Sequence, residues 1–309
     1  MIVVAGESLV DLVVGADGVV EEAVGGSALN VAVGLGRLQT PALLLTEAGN
    51  DERGGRIVQQ VTASGAELVA SPPASGRTPT STATLDGQGG ASYDFDVTWT
   101  LPRQALPPCD ALHVGTLGTI LEPGRASVLD LVDQAGARDV PVSYDPNIRP
   151  AFVDDAAQAW RQVLSIAGRC RIVKLSDQDI EVLHPGEDPD DVAASVLAGE
   201  RTDLVVVTRG AHGSTASVEG LTVAVPAPPC DVVDTVGAGD AFVAALLTVL
   251  HDTGELGPHG AGTPRTEAGL RQLLAAANTV AALTCARRGA QPPTRVELPH
   301  DWPESPLPC

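Results

Sequence analysis

The chain contains one lysine. Lys174 stands alone among 309 residues whose formal net charge is -20, so there is no basic stripe to hold a polynucleotide backbone or an anionic membrane surface, and neither is an expected partner. The same scarcity removes two routes to phosphoryl chemistry. A Walker A loop needs a Gly-Lys pair, and the protein-kinase fold needs a strand lysine in a VAIK-like setting followed by HRD; neither occurs. Also missing are a GxSxG elbow, an HExxH pair and a GxGxxG after the first strand, which excludes a hydrolase triad, a zincin and a dinucleotide-binding Rossmann domain. Cys109, Cys170, Cys230, Cys285 and Cys309 form no CxxC pair and no zinc-like spacing. They read as reduced thiols, mostly small core residues. No run of about 18 apolar residues suggests a membrane span, and the opening MIVVAGESLVDLVV lacks a positively charged leader, so a cytoplasmic protein is expected.

The apolar runs that are present are short and β-branched: 2–6, 42–46, 111–115, 141–145, 171–175 and 203–208, with helical patterns between most of them. Strands alternating with helices predict a single α/β domain over 1–309, a doubly wound and mainly parallel sheet whose ligands lie beyond the carboxyl ends of its strands. Residues 78–101 break the alternation. They read as a β-hairpin around a Gly-rich turn at 86–90, with Tyr93, Phe95, Val97 and Trp99 on one face of its second strand. This hairpin is expected to be a core cover, a lid or a subunit contact. The proline-rich tail 298–309 forms no regular element.

The stretch DTVGAGDAF runs into AFVAALLTVL, apolar nearly all round and therefore a buried helix. At its start the amides of Gly237, Ala238 and Gly239 lack intrahelical partners and carry the positive end of the helix dipole, which makes an anion hole. Asp240 beside it is placed to take a proton from an incoming hydroxyl, a layout for phosphoryl transfer to an alcohol. The plainer alternative is a helix cap. A second turn, VGGSALNVAVGLGRL, places Gly25, Gly26 and Asn30 at a helix start, and Asp11 lies just after the first strand. Together these offer acceptors, a donor and open backbone to vicinal hydroxyls. In DPNIRP, Arg149 at a strand end is a bidentate fork for phosphate or carboxylate.

In order, GESLVD, GGSALNVAVGLGRL, DPNIRP, VKLSDQD, VVVTRGAHGS, DTVGAGDAF and NTVAALTCARRGAQPP resemble the ribokinase-like, or PfkB, sugar kinases over nearly the whole chain. The resemblance implies ATP and Mg2+ as cofactors and transfer of the γ-phosphoryl group to a hydroxymethyl oxygen of a sugar. It also implies a small β lid from about 12–24 and 76–101, through which two chains would pair as a homodimer. Position by position it implies Asp240 as base, Gly237 to Gly239 as anion hole, and Asp11, Gly25, Gly26 and Asn30 as sugar site. Ser176, Thr208, Gly210, Gly213 and Asn278 would border the nucleotide. The family commonly shows Asn-x-x-Glu where this chain has Ser176 and Asp179, so Asp179, one methylene shorter, would reach Mg2+ through water. A K+ site would use Asp234, Val236, Thr284, Arg287 and Gly289. GESLVDL and DPNIR are most similar to the fructokinase branch, then to 2-keto-3-deoxygluconate kinases. The alternative of another class is a sugar-binding regulatory relative without turnover.

Overall fold

The computed structural model describes residues 1–309 apart from 16, 86–90, 258–263, 265, 301 and 303–309; at 85 and 91–93 only the backbone is described. The larger sheet is built from β1 (Ile2–Ala5), β4 (Ala42–Glu47), β5 (Glu67–Ser71), β8 (Ala111–Gly115), β9 (Val142–Asp145), β10 (Ile172–Ser176), β11 (Leu204–Thr208), β12 (Ser214–Val218) and β13 (Leu221–Val225). Its strand order is β13-β12-β11-β10-β9-β8-β1-β4-β5. All pairs from β11 to β5 are parallel, while β12 and β13 extend the sheet as an antiparallel hairpin. The six apolar runs all fall in its parallel strands, and β1, β4 and β8 are buried at every residue, as strands covered on both faces must be.

One face is covered by α1 (Ser27–Arg37), α2 (Glu52–Ala63), α7 (Ala238–Asp252) and α8 (Glu267–Cys285), which share a core with Ile2, Val4 and Val206. On the other face α3 (Gly124–Ala137), α4 (Ala156–Ala167), α5 (Asp177–Leu183) and α6 (Pro189–Leu197) pack around Val3, Leu112 and Val173. Helix α7 is apolar nearly all round because α1 and α8 flank it, and eleven of its residues, Asp240 to Leu250, are buried.

A second sheet of order β3-β2-β6-β7 is formed by β2 (Leu9–Val14), β3 (Val20–Gly25), β6 (Thr80–Leu85) and β7 (Ala91–Asp96). The expected hairpin is present as the antiparallel β6–β7 pair, Thr80 opposite Asp96, although its turn at 86–90 lies outside the described residues. The aromatic stripe is corrected. β7 ends at Asp96, and Trp99 leaves the hairpin to be buried against Gly124 in the core, 2% exposed. Phe95 instead packs on Phe152, ring centroids 5.0 Å apart. The cysteines are corrected too: of those described only Cys170 is a core residue, Cys109 and Cys285 are half-buried and Cys230 is exposed. Among the described residues no helix is long and apolar enough to cross a membrane.

Candidate active site

The carboxyl ends of β1, β8, β9, β10 and β11, the start of α7 and the small sheet surround a cavity of about 740 Å³. Of the expected residues, Asp11, Gly26, Asn30, Arg149, Ser176, Thr208, Gly210, Gly213, Val236, Gly237, Ala238, Gly239, Asp240 and Asn278 line it, and Gly25, Asp179, Asp234, Thr284, Arg287 and Gly289 do not.

Asp240 is not the cap of α7. The cap is Gly237, held in the left-handed region at φ 75°, and Asp240 is the third helical residue, 6% exposed. Its Oδ1 accepts the Ser27 hydroxyl at 2.6 Å and its Oδ2 accepts Asn30 Nδ2 at 2.8 Å, so the carboxylate is held by two donors from the first turn of α1. Helix geometry leaves the Gly239 and Asp240 amides without intrahelical acceptors, whereas the Ala238 amide makes a turn bond to the Thr235 carbonyl at 3.2 Å. A side chain at Gly237 would be strained by its φ and would lie 2.5 Å from Ala290 Cβ. Gly237→Ala is therefore expected to cost roughly 1–3 kcal/mol of stability, read from urea unfolding; an unchanged midpoint contradicts this placement.

Gly25 and Gly26 are small for reasons of the chain's own. The Asp11 carboxylate fills the space beside Gly25, and a Cβ at Gly26, whose φ is 106°, would lie 2.6 Å from the Glu7 carbonyl oxygen. Asp11 itself, on β2, has its pKa raised by burial against the opposing pull of the Ser81 hydroxyl and Arg149. Arg149 donates to Asn147 Oδ1 at 2.5 Å and to its carbonyl at 3.3 Å. Asn30 Oδ1 and the Thr116 hydroxyl oxygen, both buried and both on cavity residues, have no protein partner. Such atoms are expected to meet a ligand's hydroxyls or water.

Three residues that the sequence analysis gave no role complete this floor. Lys174, on β10 and 4% exposed, ion-pairs with Asp145 at 3.0 Å and its Nζ lies 3.3 Å from where a Cβ on Gly239 would be, beside the first turn of α7. Burial opposes its charge, but the carboxylates of Asp145, Asp179 and Asp240 outweigh that and hold its pKa above the usual lysine value. Its being the one lysine was the only signal. Asn147, at φ 40°, donates to the Ser27 hydroxyl oxygen at 3.0 Å and to Asp240 Oδ1 at 3.4 Å; asparagine after Pro146 is a residue type that tolerates this backbone. Glu7 is 2% exposed and lines the cavity.

At the other end, Asn278 on α8 spends its amide on the protein. Its Oδ1 accepts the Ser214 hydroxyl at 3.0 Å and its Nδ2 donates to the Val225 carbonyl at 3.2 Å. Asp179 is likewise spent: Oδ1 accepts the Ile148 amide at 2.6 Å, and Oδ2 accepts the Ser176 amide and hydroxyl at 2.7 and 2.6 Å in a capping box. Asp177, at the first turn of α5, is the carboxylate there that lines the cavity. Asp234 bridges the loop before α7 to the segment after α8, accepting from Val236 N at 3.0 Å and Gly289 N at 2.8 Å. The Thr284 hydroxyl donates to the Val280 carbonyl, and Arg287 pairs with Glu297. Among the described residues no group of three His, Cys, Asp or Glu side chains is arranged to hold a metal ion.

A family model described as pfkB family carbohydrate kinase matches residues 1–296. A fructokinase of Rhizobium leguminosarum bv. trifolii is 34% identical over 264 residues, 81% of this chain and 79% of the relative. A fructokinase of Klebsiella pneumoniae is 33% identical over 304 residues, 93% of this chain and 94% of its own length. The crystal structure of fructokinase from Vibrio cholerae O395 with fructose, ADP and calcium superposes with a TM-score of 0.77 at 26% identity, covering 94% of each chain.

Proposed function

The chain belongs to the pfkB family of carbohydrate kinases, and from that premise we propose that it transfers the γ-phosphoryl group of ATP to a hydroxymethyl oxygen of fructose. The observation that carries the reading is Asp240, a cavity carboxylate oriented by Ser27 and Asn30 at the first turn of α7, where the sugar half and the phosphate half meet. Asp240 takes the proton of the attacking hydroxyl. The Gly239 and Asp240 amides and the Lys174 ammonium receive the negative charge of the group in transfer. Asn30 Oδ1, Thr116 and Asp11 accept the sugar's other hydroxyls. Thr208, Gly210 and Gly213 flank the nucleotide, and Ser176 borders its phosphates.

Asp177 is the cavity carboxylate that would hold a divalent cation, because Mg2+ usually keeps waters and takes only one or two carboxylates. Bound there, it would neutralise charge on the phosphate oxygens. Asp234 and Gly289 mark where K+ would lie. The small sheet is read as a lid that excludes water once sugar binds. Exposed Val20 on β3 and Val19 in the turn before it support pairing of two chains through it.

Charge favours fructose over 2-keto-3-deoxygluconate. Arg149 already faces the carboxylates of both Glu7 and Asp11, so a sugar acid would bring a third anion to one guanidinium. The test is the ratio of kcat/KM for the two substrates: fructose ahead supports the reading, the sugar acid ahead reverses it and assigns Arg149 to the substrate carboxylate. The sugar site has its own check. Asp11→Ala is expected to weaken fructose binding by about 1.5–3 kcal/mol and leave ATP affinity alone; unchanged fructose affinity by calorimetry would move the sugar elsewhere.

A further inference from the structure

Glu7 follows β1, and among the described residues no salt bridge is formed to it. Its Oε1 accepts the backbone N–H of Ser27 at 3.2 Å and its Oε2 accepts that of Gly118 at 3.1 Å. One carboxylate thus ties the end of β1 to the first turn of α1 and to the 3-10 turn Thr116–Thr119. Ser27, whose amide it holds, turns its hydroxyl to Asp240 Oδ1 at 2.6 Å, and Asn147 Nδ2 donates to that same hydroxyl oxygen at 3.0 Å. A buried carboxylate is a costly way to fix a backbone turn, since burial disfavours its charge. What the charge adds is a stronger pull on two N–H groups than a neutral acceptor exerts.

We propose that Glu7 is a positioning residue for phosphoryl transfer, acting through Ser27 on the orientation of the Asp240 carboxylate. The proposal rests on the reading of Asp240 as the base. Burial pushes the pKa of Glu7 up to about 7, against the pull of its own backbone amide, the Gly118 amide, Arg149 and the Ser27 amide. The charged groups facing it are few: Arg149 comes from the loop after β9, Asp11 on β2 shares that guanidinium, and β1, the first turn of α1 and the 3-10 turn carry no titratable side chain. A proton on Glu7 converts one acceptor oxygen to a donor facing an N–H and weakens the hold on Ser27. The ionised form is therefore the active one, and activity falls as pH drops through about 7.

The experiment is steady-state kinetics of the full chain with ATP and fructose from about pH 5.5 to about pH 8.5. Wild type is expected to show an acid limb in kcat near neutrality. Glu7→Gln should lower kcat at high pH about tenfold, with the fructose KM within about threefold, and should lose that limb. Ser27→Ala cuts the link without touching Glu7, so it should lose the limb as well, and the double variant should be no slower than the slower single. A neutral limb that persists in Ser27→Ala, or losses that multiply, overturns the proposal, and this arm stands even if Glu7→Gln fails to fold. If Asp240→Asn keeps its kcat, the underlying assignment of the base falls, and this inference falls with it.

Discussion

Asp240→Asn is expected to lower kcat by roughly 10² to 10⁴ while leaving fructose affinity within a few-fold, the scale of a lost general base. The expectation follows from where the carboxylate is held. Ser27 and Asn30 each give it one donor, at 2.6 and 2.8 Å, so an asparagine can keep the contact to Ser27 and the shape of the turn. What it cannot do is accept a proton. Turnover within a few-fold of wild type, measured in a coupled ADP assay, would remove Asp240 from the chemistry and leave it as an ordinary first-turn carboxylate.

Lys174→Met should fail twice, in stability and in rate. The methionine leaves Asp145, 1% exposed, without its ion-pair partner, and breaking one side of a buried pair costs about 3–5 kcal/mol. Lys174→Met/Asp145→Asn removes both charges and should recover most of that loss in urea unfolding. If the ammonium also faces the phosphoryl group beside Gly239, the double variant should remain about 10²- to 10³-fold slower than wild type, as for one lost donor in an anion hole. A refolded double variant at full activity would show that the lysine serves the fold alone.

The parts of this molecule that were legible in its sequence are those with a periodic or conformational signature. Strands such as β4 and β11 are buried on both sides and stand out as unbroken apolar runs. The start of α7 announces itself through glycines that only a tight turn needs. The β12–β13 hairpin was less visible, because its polar positions are buried by helices on both faces, with α8 and α6 each packed on β12, rather than left to alternate with solvent. Trp99 was misplaced because a period of two, counted along 93–99, does not register that the strand ends at Asp96. Glu7, Lys174 and Asn147 were missed for a different reason. A buried charge or amide is set by partners far along the chain, Gly118 for Glu7 and Ser27 for Asn147, and no local pattern records them. Asp179 shows the converse: the family resemblance implied a carboxylate reaching Mg2+ through water, and its spacing from Ser176 instead builds a capping box.

Phosphoryl transfer to fructose in the cavity at the start of α7 has a direct readout in phosphorus NMR of the protein with ATP, Mg2+ and fructose. The γ-phosphoryl resonance should give way to one sugar phosphomonoester, with ADP formed one for one and little inorganic phosphate when fructose is left out. Binding of both fructose and ATP with no phosphomonoester, from fructose or from any sugar of a ketose, aldose and sugar-acid panel, would contradict the claim and make the cavity a binding site without turnover.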